Sequence, residues 1–176
     1  MQNKTQTFIK LENKSRDNYP KMILVHHSGG TDKNPLADTS HHTAQIMESW
    51  HLAKGWEGLG YHYVIHKDGA VWLGRPEHYH AAHTSGHNTD SIGICLAGNF
   101  DATLPTKEQT DSLRTLLKDI LNRHPSIKDV FPHRKFSNKT CYGKRLNDTW
   151  ASDLIKEDGE MVSVPKRLLR ELSTFL

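Results

Sequence analysis

The run His133-Arg-Lys-Phe-Ser-Asn-Lys139-Thr-Cys141 sets an imidazole eight residues before a thiol, with a lysine two residues before the thiol. A neutral imidazole and a thiolate suit a borderline-soft cation such as zinc, and a catalytic zinc site takes three protein ligands while leaving one position open for water. A third ligand is therefore expected upstream. His26 fits, because Met22-Ile-Leu-Val-His26-His27-Ser28 is a short apolar run that ends in imidazoles and then meets Gly29-Gly30. Such a run reads as a strand whose apolar residues anchor the backbone while its last side chain projects into a cleft. Side chains alternate along a strand, so His27 points to the opposite face.

Thirteen histidines make accidental pairs easy to find, and joint spacing carries more weight than number. His41-His42, His78, His80 and His87 receive no role. A structural zinc site would be closed by four protein ligands rich in cysteine, and only Cys141 is suitably placed. Cys95 lies in an apolar run and reads as a small buried hydrophobe. No disulfide is expected between the two cysteines. Lys67 and Arg75 read as solvated charges at a turn and a strand end.

The sequence resembles the zinc-dependent N-acetylmuramoyl-L-alanine amidases of the phage lysozyme and peptidoglycan-recognition-protein type. The resemblance spans roughly residues 20 to 150 and rests on several motifs in one order: Leu24-Val-His26-His27-Ser28, Gly60-Tyr61-His62-Tyr63-Val64-Ile65, Lys67-Asp68-Gly69, Gly74-Arg75, His83, Asn88, Ser91-Ile92-Gly93-Ile94-Cys95-Leu96-Ala97-Gly98, and Lys139-Thr140-Cys141. It implies one catalytic zinc ion on His26, His133 and Cys141. It implies that Tyr61 is the catalytic tyrosine, donating to the attacking water or the oxyanion, and that Lys139 places an ammonium beside the same charge. His83 and Asn88 fall where the family lines its cleft and are expected to bind substrate.

The implied substrate bond joins the lactyl group of N-acetylmuramic acid to L-alanine in peptidoglycan. Zinc would acidify a water to a pKa of about 7 and polarise the scissile carbonyl. Two alternatives stay open: a cytosolic amidase recycling anhydromuropeptides, and a non-catalytic peptidoglycan-binding module. Recycling amidases use an aspartate as third ligand, so Cys141 favours the lytic type. The family often follows the ligand cysteine with Pro-Gly, whereas this chain has Tyr142-Gly143.

Composition sets limits. The chain has 176 residues, 35% hydrophobic and 24% charged, enough for one core and one domain. A net charge of +3 is too mild to imply nucleic acid, though it favours an anionic surface such as a cell wall. No apolar run is long enough to span a bilayer, and Met1-Gln-Asn-Lys-Thr-Gln-Thr-Phe-Ile-Lys10 lacks the pattern of a signal peptide. The expectation is a monomer made in the cytoplasm, without stable membrane insertion or a nucleic-acid partner, that acts on the bacterial cell wall, as a phage endolysin does.

Elements must position these groups. β-branched and aromatic clusters between turn residues predict strands near 22–26, 61–66, 70–74 and 91–98, with Lys67-Asp68-Gly69 as a hairpin turn. Ile46, Met47 and Trp50 suggest a helix near 41–54. Leu113, Leu116, Leu117, Ile120 and Leu121 define a clearer one, with Thr106 and Gln109 as its capping box. The fold class is α/β: a single domain with a mixed central sheet flanked by helices and the zinc cleft at strand ends. Residues 1–20 read as a polar arm, 21–150 as the catalytic domain, and 151–176 as a linker followed by a short amphipathic helix from Pro165, packed on the domain.

Overall fold

The computed structural model describes residues 17–156. In chain order they form β1 (Met22–His27), α1 (Ala44–Ala53), β2 (Tyr63–Ile65), β3 (Val71–Leu73), β4 (Ser91–Leu96), α2 (Lys107–Arg123), β5 (Asp129–Pro132), a 3-10 turn over His133–Phe136 and α3 (Trp150–Asp153). The strands make one sheet in the order β3-β2-β4-β1-β5. β4 and β5 flank β1 in parallel, β2 joins β4 in parallel, and only β3 runs antiparallel, against β2. This is the mixed, helix-flanked sheet expected from the sequence.

Each strand divides its residues between two layers. Ile23, Val25, Tyr63, Ile65, Ile92, Ile94 and Leu96 join Leu113, Leu116, Leu117 and Ile120 of α2 in the larger core. Burying each such aliphatic side chain contributes about 1.5–3 kcal/mol. Val64, Cys95 and Ala97 face the other way and pack with Ala44 and Met47 of α1. β4 and the residue after it therefore alternate by size: Ile92, Ile94 and Leu96 on the α2 face, and Ser91, Gly93, Cys95 and Ala97 at the alternate positions. Small residues leave room for side chains to lie close above the sheet, and His26 projects on that side.

Local signals account for most elements. Thr106 accepts from the Gln109 amide while the Gln109 side chain accepts from the Thr106 amide, so α2 starts at the expected capping box. The Thr43 side chain caps α1 by accepting from the Ile46 amide. The hairpin between β2 and β3 closes through His66, whose amide donates to Ala70 O at 2.9 Å, with Gly69 at φ +81°.

β5 was not expected. Its four residues include Pro132 and show no alternation, and they become a strand because Asp129 to Pro132 pair with Met22 to Val25 of β1. Residues 17–20 are held rather than loose: the Asn18 amide donates to His78 O at 2.9 Å and the Tyr19 amide to Thr89 O at 3.0 Å. At the other end Ala151 and Leu154 are buried in the main core, so the first residues read as linker belong to the domain. The amphipathic segment from Pro165 lies outside the described residues. Among those described, no helix is long and apolar enough to cross a membrane.

Candidate metal centre

Three chain segments meet at the carboxyl ends of the parallel strands. His26 is the penultimate residue of β1, His133 follows directly on β5, and Cys141 lies in the loop beyond the 3-10 turn. Their ligand atoms all lie within 4.8 Å of one another. His26 Nδ1 stands 3.7 Å from Cys141 Sγ. Zinc–nitrogen and zinc–sulfur bonds of about 2.05 and 2.3 Å at a tetrahedral angle would separate those atoms by about 3.5 Å, so the pair is set at nearly the liganded spacing. The imidazole rings of His26 and His133 have centroids 4.4 Å apart. Two imidazoles and a thiol match the donor set of a catalytic zinc site, and the structure brings together all three residues singled out in the sequence.

The electrostatics suit a cation. Burial, reinforced by neighbouring imidazoles, holds His26 neutral, well below the usual histidine range. Burial and the charge of Lys139 lower His133 as well. Neutral imidazoles present lone pairs, which metal binding requires. The Cys141 thiol is pushed up to about 12 by burial, against the pull of the His27 amide, which donates to its sulfur at 3.3 Å.

The loop that presents Cys141 is tied from two sides. Arg134 donates to Gly143 O and Leu146 O, both at 2.7 Å, and pairs with Asp148 at 2.5 Å. The Arg134 amide donates to Cys141 O at 2.6 Å. Asp101 accepts from the Thr140 hydroxyl at 2.6 Å and from the Lys144 amide at 2.7 Å. Neither residue stood out in the sequence, because Asp101 lies in a distant segment and Arg134 is one basic residue among many.

Tyr61 flanks the centre, its ring 5.2 Å from that of His26. Burial, with the Cys95 and Cys141 thiols nearby, lifts its pKa well above the ordinary tyrosine value, so it stays a protonated donor. Lys139 is exposed at the rim, and its charge reaches both His133 and Cys141. His27 turns to the opposite layer, where its Nδ1 accepts from the Phe100 amide at 2.9 Å.

His83 and Asn88, expected to line the substrate cleft, are half-buried and hydrogen-bonded within the protein. His83 Nδ1 lies 2.9 Å from His26 Nε2, and its Nε2 faces the Ser91 hydroxyl. Asn88 Oδ1 accepts from the amides of both His83 and Thr84 at 2.9 Å, bracing the loop that carries His83. Arg75 departs from the expected solvated charge: it is 4% exposed, donating to Leu59 O and His80 O. The two cysteines are free thiols.

Comparison with known proteins agrees with this architecture. The endolysin of Escherichia phage T7 is 34% identical over 119 residues, covering 64% of this chain and 78% of that protein. Among solved structures, the N-acetylmuramoyl-L-alanine amidase LysC from Clostridium intestinale superposes with a TM-score of 0.64 at 32% identity, covering 73% of this chain and 79% of that one. The Ph2119 endolysin from a Thermus scotoductus bacteriophage shares the fold with a TM-score of 0.67 at 20% identity, over 81% of this chain and 88% of that one. The N-acetylmuramoyl-L-alanine amidase family model matches residues 16–144, a stretch that contains all three candidate ligands, Tyr61 and Lys139, and on this evidence the chain belongs to that family.

Proposed function

We propose that the protein is a zinc-dependent peptidoglycan hydrolase of the endolysin type, cleaving the amide bond between N-acetylmuramic acid and L-alanine. The observation that carries this is the convergence of His26, His133 and Cys141, with ligand atoms within 4.8 Å of one another, in a chain of the amidase family. When bound there, zinc supplies a Lewis acid for the scissile carbonyl and an acidified water as nucleophile.

The protein's own groups handle the charge that develops. Attack on the amide places negative charge on the former carbonyl oxygen, and preorganised donors stabilise that charge more than the ground state. Tyr61 supplies a phenol that stays protonated because its burial opposes ionisation. Lys139 supplies a positive charge from the solvent side. His26 and His133, held neutral by burial, keep the ligand set ready without first losing protons. Cys141 must lose its proton on metal binding.

Cys141 also separates this reading from the recycling amidases, whose third ligand is an aspartate. The test is digestion of purified sacculi with and without chelator and zinc add-back, followed by mass analysis. Stem peptides with a free L-alanine amino terminus, lost on chelation and restored by zinc, are expected. Binding to sacculi with no cleavage at any zinc concentration would instead make the protein a recognition module.

A further inference from the structure

Behind His26 lies a chain of polar groups that has a direction. Its far end is the backbone carbonyl of His87, which can only accept, and the Ser91 hydroxyl donates to it at 2.5 Å. That hydroxyl has one hydrogen, so toward His83 Nε2, 3.4 Å away, the Ser91 oxygen is an acceptor and His83 Nε2 carries a proton. A neutral His83 protonated at Nε2 is bare at Nδ1. The bare Nδ1 has the Thr84 hydroxyl at 2.8 Å and His26 Nε2 at 2.9 Å; two lone pairs would repel at that distance, so the proton of His26 belongs on Nε2. His26 Nδ1 is left with its lone pair, and it is the atom 3.7 Å from Cys141 Sγ.

We infer that His83 is a positioning residue of the metal centre: with Ser91 it forms a one-way hydrogen-bond relay that locks His26 in the Nε2–H tautomer and turns the bare Nδ1 toward the metal. This rests on the ligand set proposed above. The opposite arrangement is disfavoured by the same contacts. A proton on His83 Nδ1 would make His26 Nε2 the acceptor, put the remaining proton of His26 on Nδ1 and block the ligand atom, while His83 Nε2 and the Ser91 oxygen would face each other with lone pairs.

The surroundings fit this assignment. The Thr84 hydroxyl joins the junction, 2.8 Å from His83 Nδ1 and 3.5 Å from His26 Nε2. The His83 ring lies on the backbone of Gly93, where an added Cβ would come within 2.3 Å of His83 Cδ2. The amides of His83 and Thr84 are both held by Asn88 Oδ1. Both ring nitrogens of His83 are thus occupied without any contribution from substrate.

The test combines ring-nitrogen NMR on the metal-free protein with zinc competition titrations of His83→Ala, His83→Asn, Ser91→Ala and Cys141→Ser. In the metal-free wild type, His26 and His83 should both be Nε2–H tautomers. His83→Ala should bind zinc about 10–100-fold more weakly, the usual cost of losing an outer partner. His83→Asn should recover most of that loss, because its Oδ1 can accept where Nδ1 did. Ser91→Ala should let His83 sample the other tautomer. At saturating zinc, His83→Ala should leave KM for peptidoglycan unchanged, which a substrate-contact role would not. The relay is overturned if His26 is Nδ1–H in the wild type, or if a folded His83→Ala binds zinc like wild type while Cys141→Ser does not. If Cys141→Ser itself keeps wild-type affinity, the ligand set is at fault, and the wild-type tautomers alone decide the relay.

Discussion

At the residue scale, the proposed centre separates candidate metal ligands from groups proposed to act on the reacting bond. Cys141 is buried and close to both His26 Nδ1 and the His27 amide, so a serine there would lack the soft donor while keeping the size. Cys141→Ser should abolish hydrolysis and weaken zinc binding by more than the roughly 10–100-fold typical of an outer partner, as read by titration against a competing chelator. Tyr61 packs beside His26, and its proposed role is toward the oxyanion rather than the metal. Tyr61→Phe should keep stoichiometric zinc and lower turnover by about 10²-fold, the usual effect of removing one donor to a developing oxyanion. Zinc lost together with turnover in Tyr61→Phe would contradict that division.

At the element scale, the ligands owe their positions to segments braced by the protein's own polar groups. Gly93 shows how little room β4 leaves above it: Gly93→Ala would drive a methyl into the His83 ring, and either the ring or the strand must move. The substitution should cost about 1–3 kcal/mol, as overpacking usually does, and weaken zinc binding alongside it. The Cys141 loop depends on Arg134, whose fork reaches the Gly143 and Leu146 carbonyls while its Nε pairs with Asp148. Arg134→Lys keeps the charge but not the fork. It should lower the thermal midpoint, and calorimetry with and without zinc should show a reduced stabilisation by the metal.

At the scale of the whole molecule, acid should destabilise the protein over two pH ranges, or stages. Burial leaves His27, His51 and His62 each with a folded pKa of about 4. The unfolded chain takes up those protons near pH 6.5, so stability present above 6.5 is lost as pH falls toward 4. A second stage belongs to Glu77, which joins β2 to the end of α2. It accepts from Tyr63 at 2.5 Å and from Arg123 at 2.9 Å, and its Oε2 meets His124 at 2.7 Å. Burial opposes its charge, but these partners prevail and bring its pKa down to about 2. A depressed carboxylate stabilises the fold above its unfolded pKa, so this contribution is lost from about pH 4.5 downward. Glu77→Gln should cost about 1–3 kcal/mol at neutral pH and remove only the lower stage, measured as thermal midpoint against pH with chelator present so that metal loss does not contribute.

The sequence by itself determined the family, the candidate ligands and most of the scaffold. Imidazole and thiol at fixed spacing, a strand ending in histidine, a period-3.6 leucine stripe and a capping box are local patterns, and local patterns are written in neighbouring residues. It also carries a subtler pattern: Ser91, Gly93, Cys95 and Ala97, small at every second position, mark a sheet face that other side chains approach closely. Only the tertiary structure decided the rest. β5 exists because β1 offers it a partner across more than a hundred residues, not because Asp129-Val-Phe-Pro132 favours a strand. His83 meets His26, 57 residues away in the chain, and Arg75 is buried rather than solvated. Hydrogen bonds between distant segments depend on where the folded backbone places donors and acceptors, and no spacing along the chain encodes that.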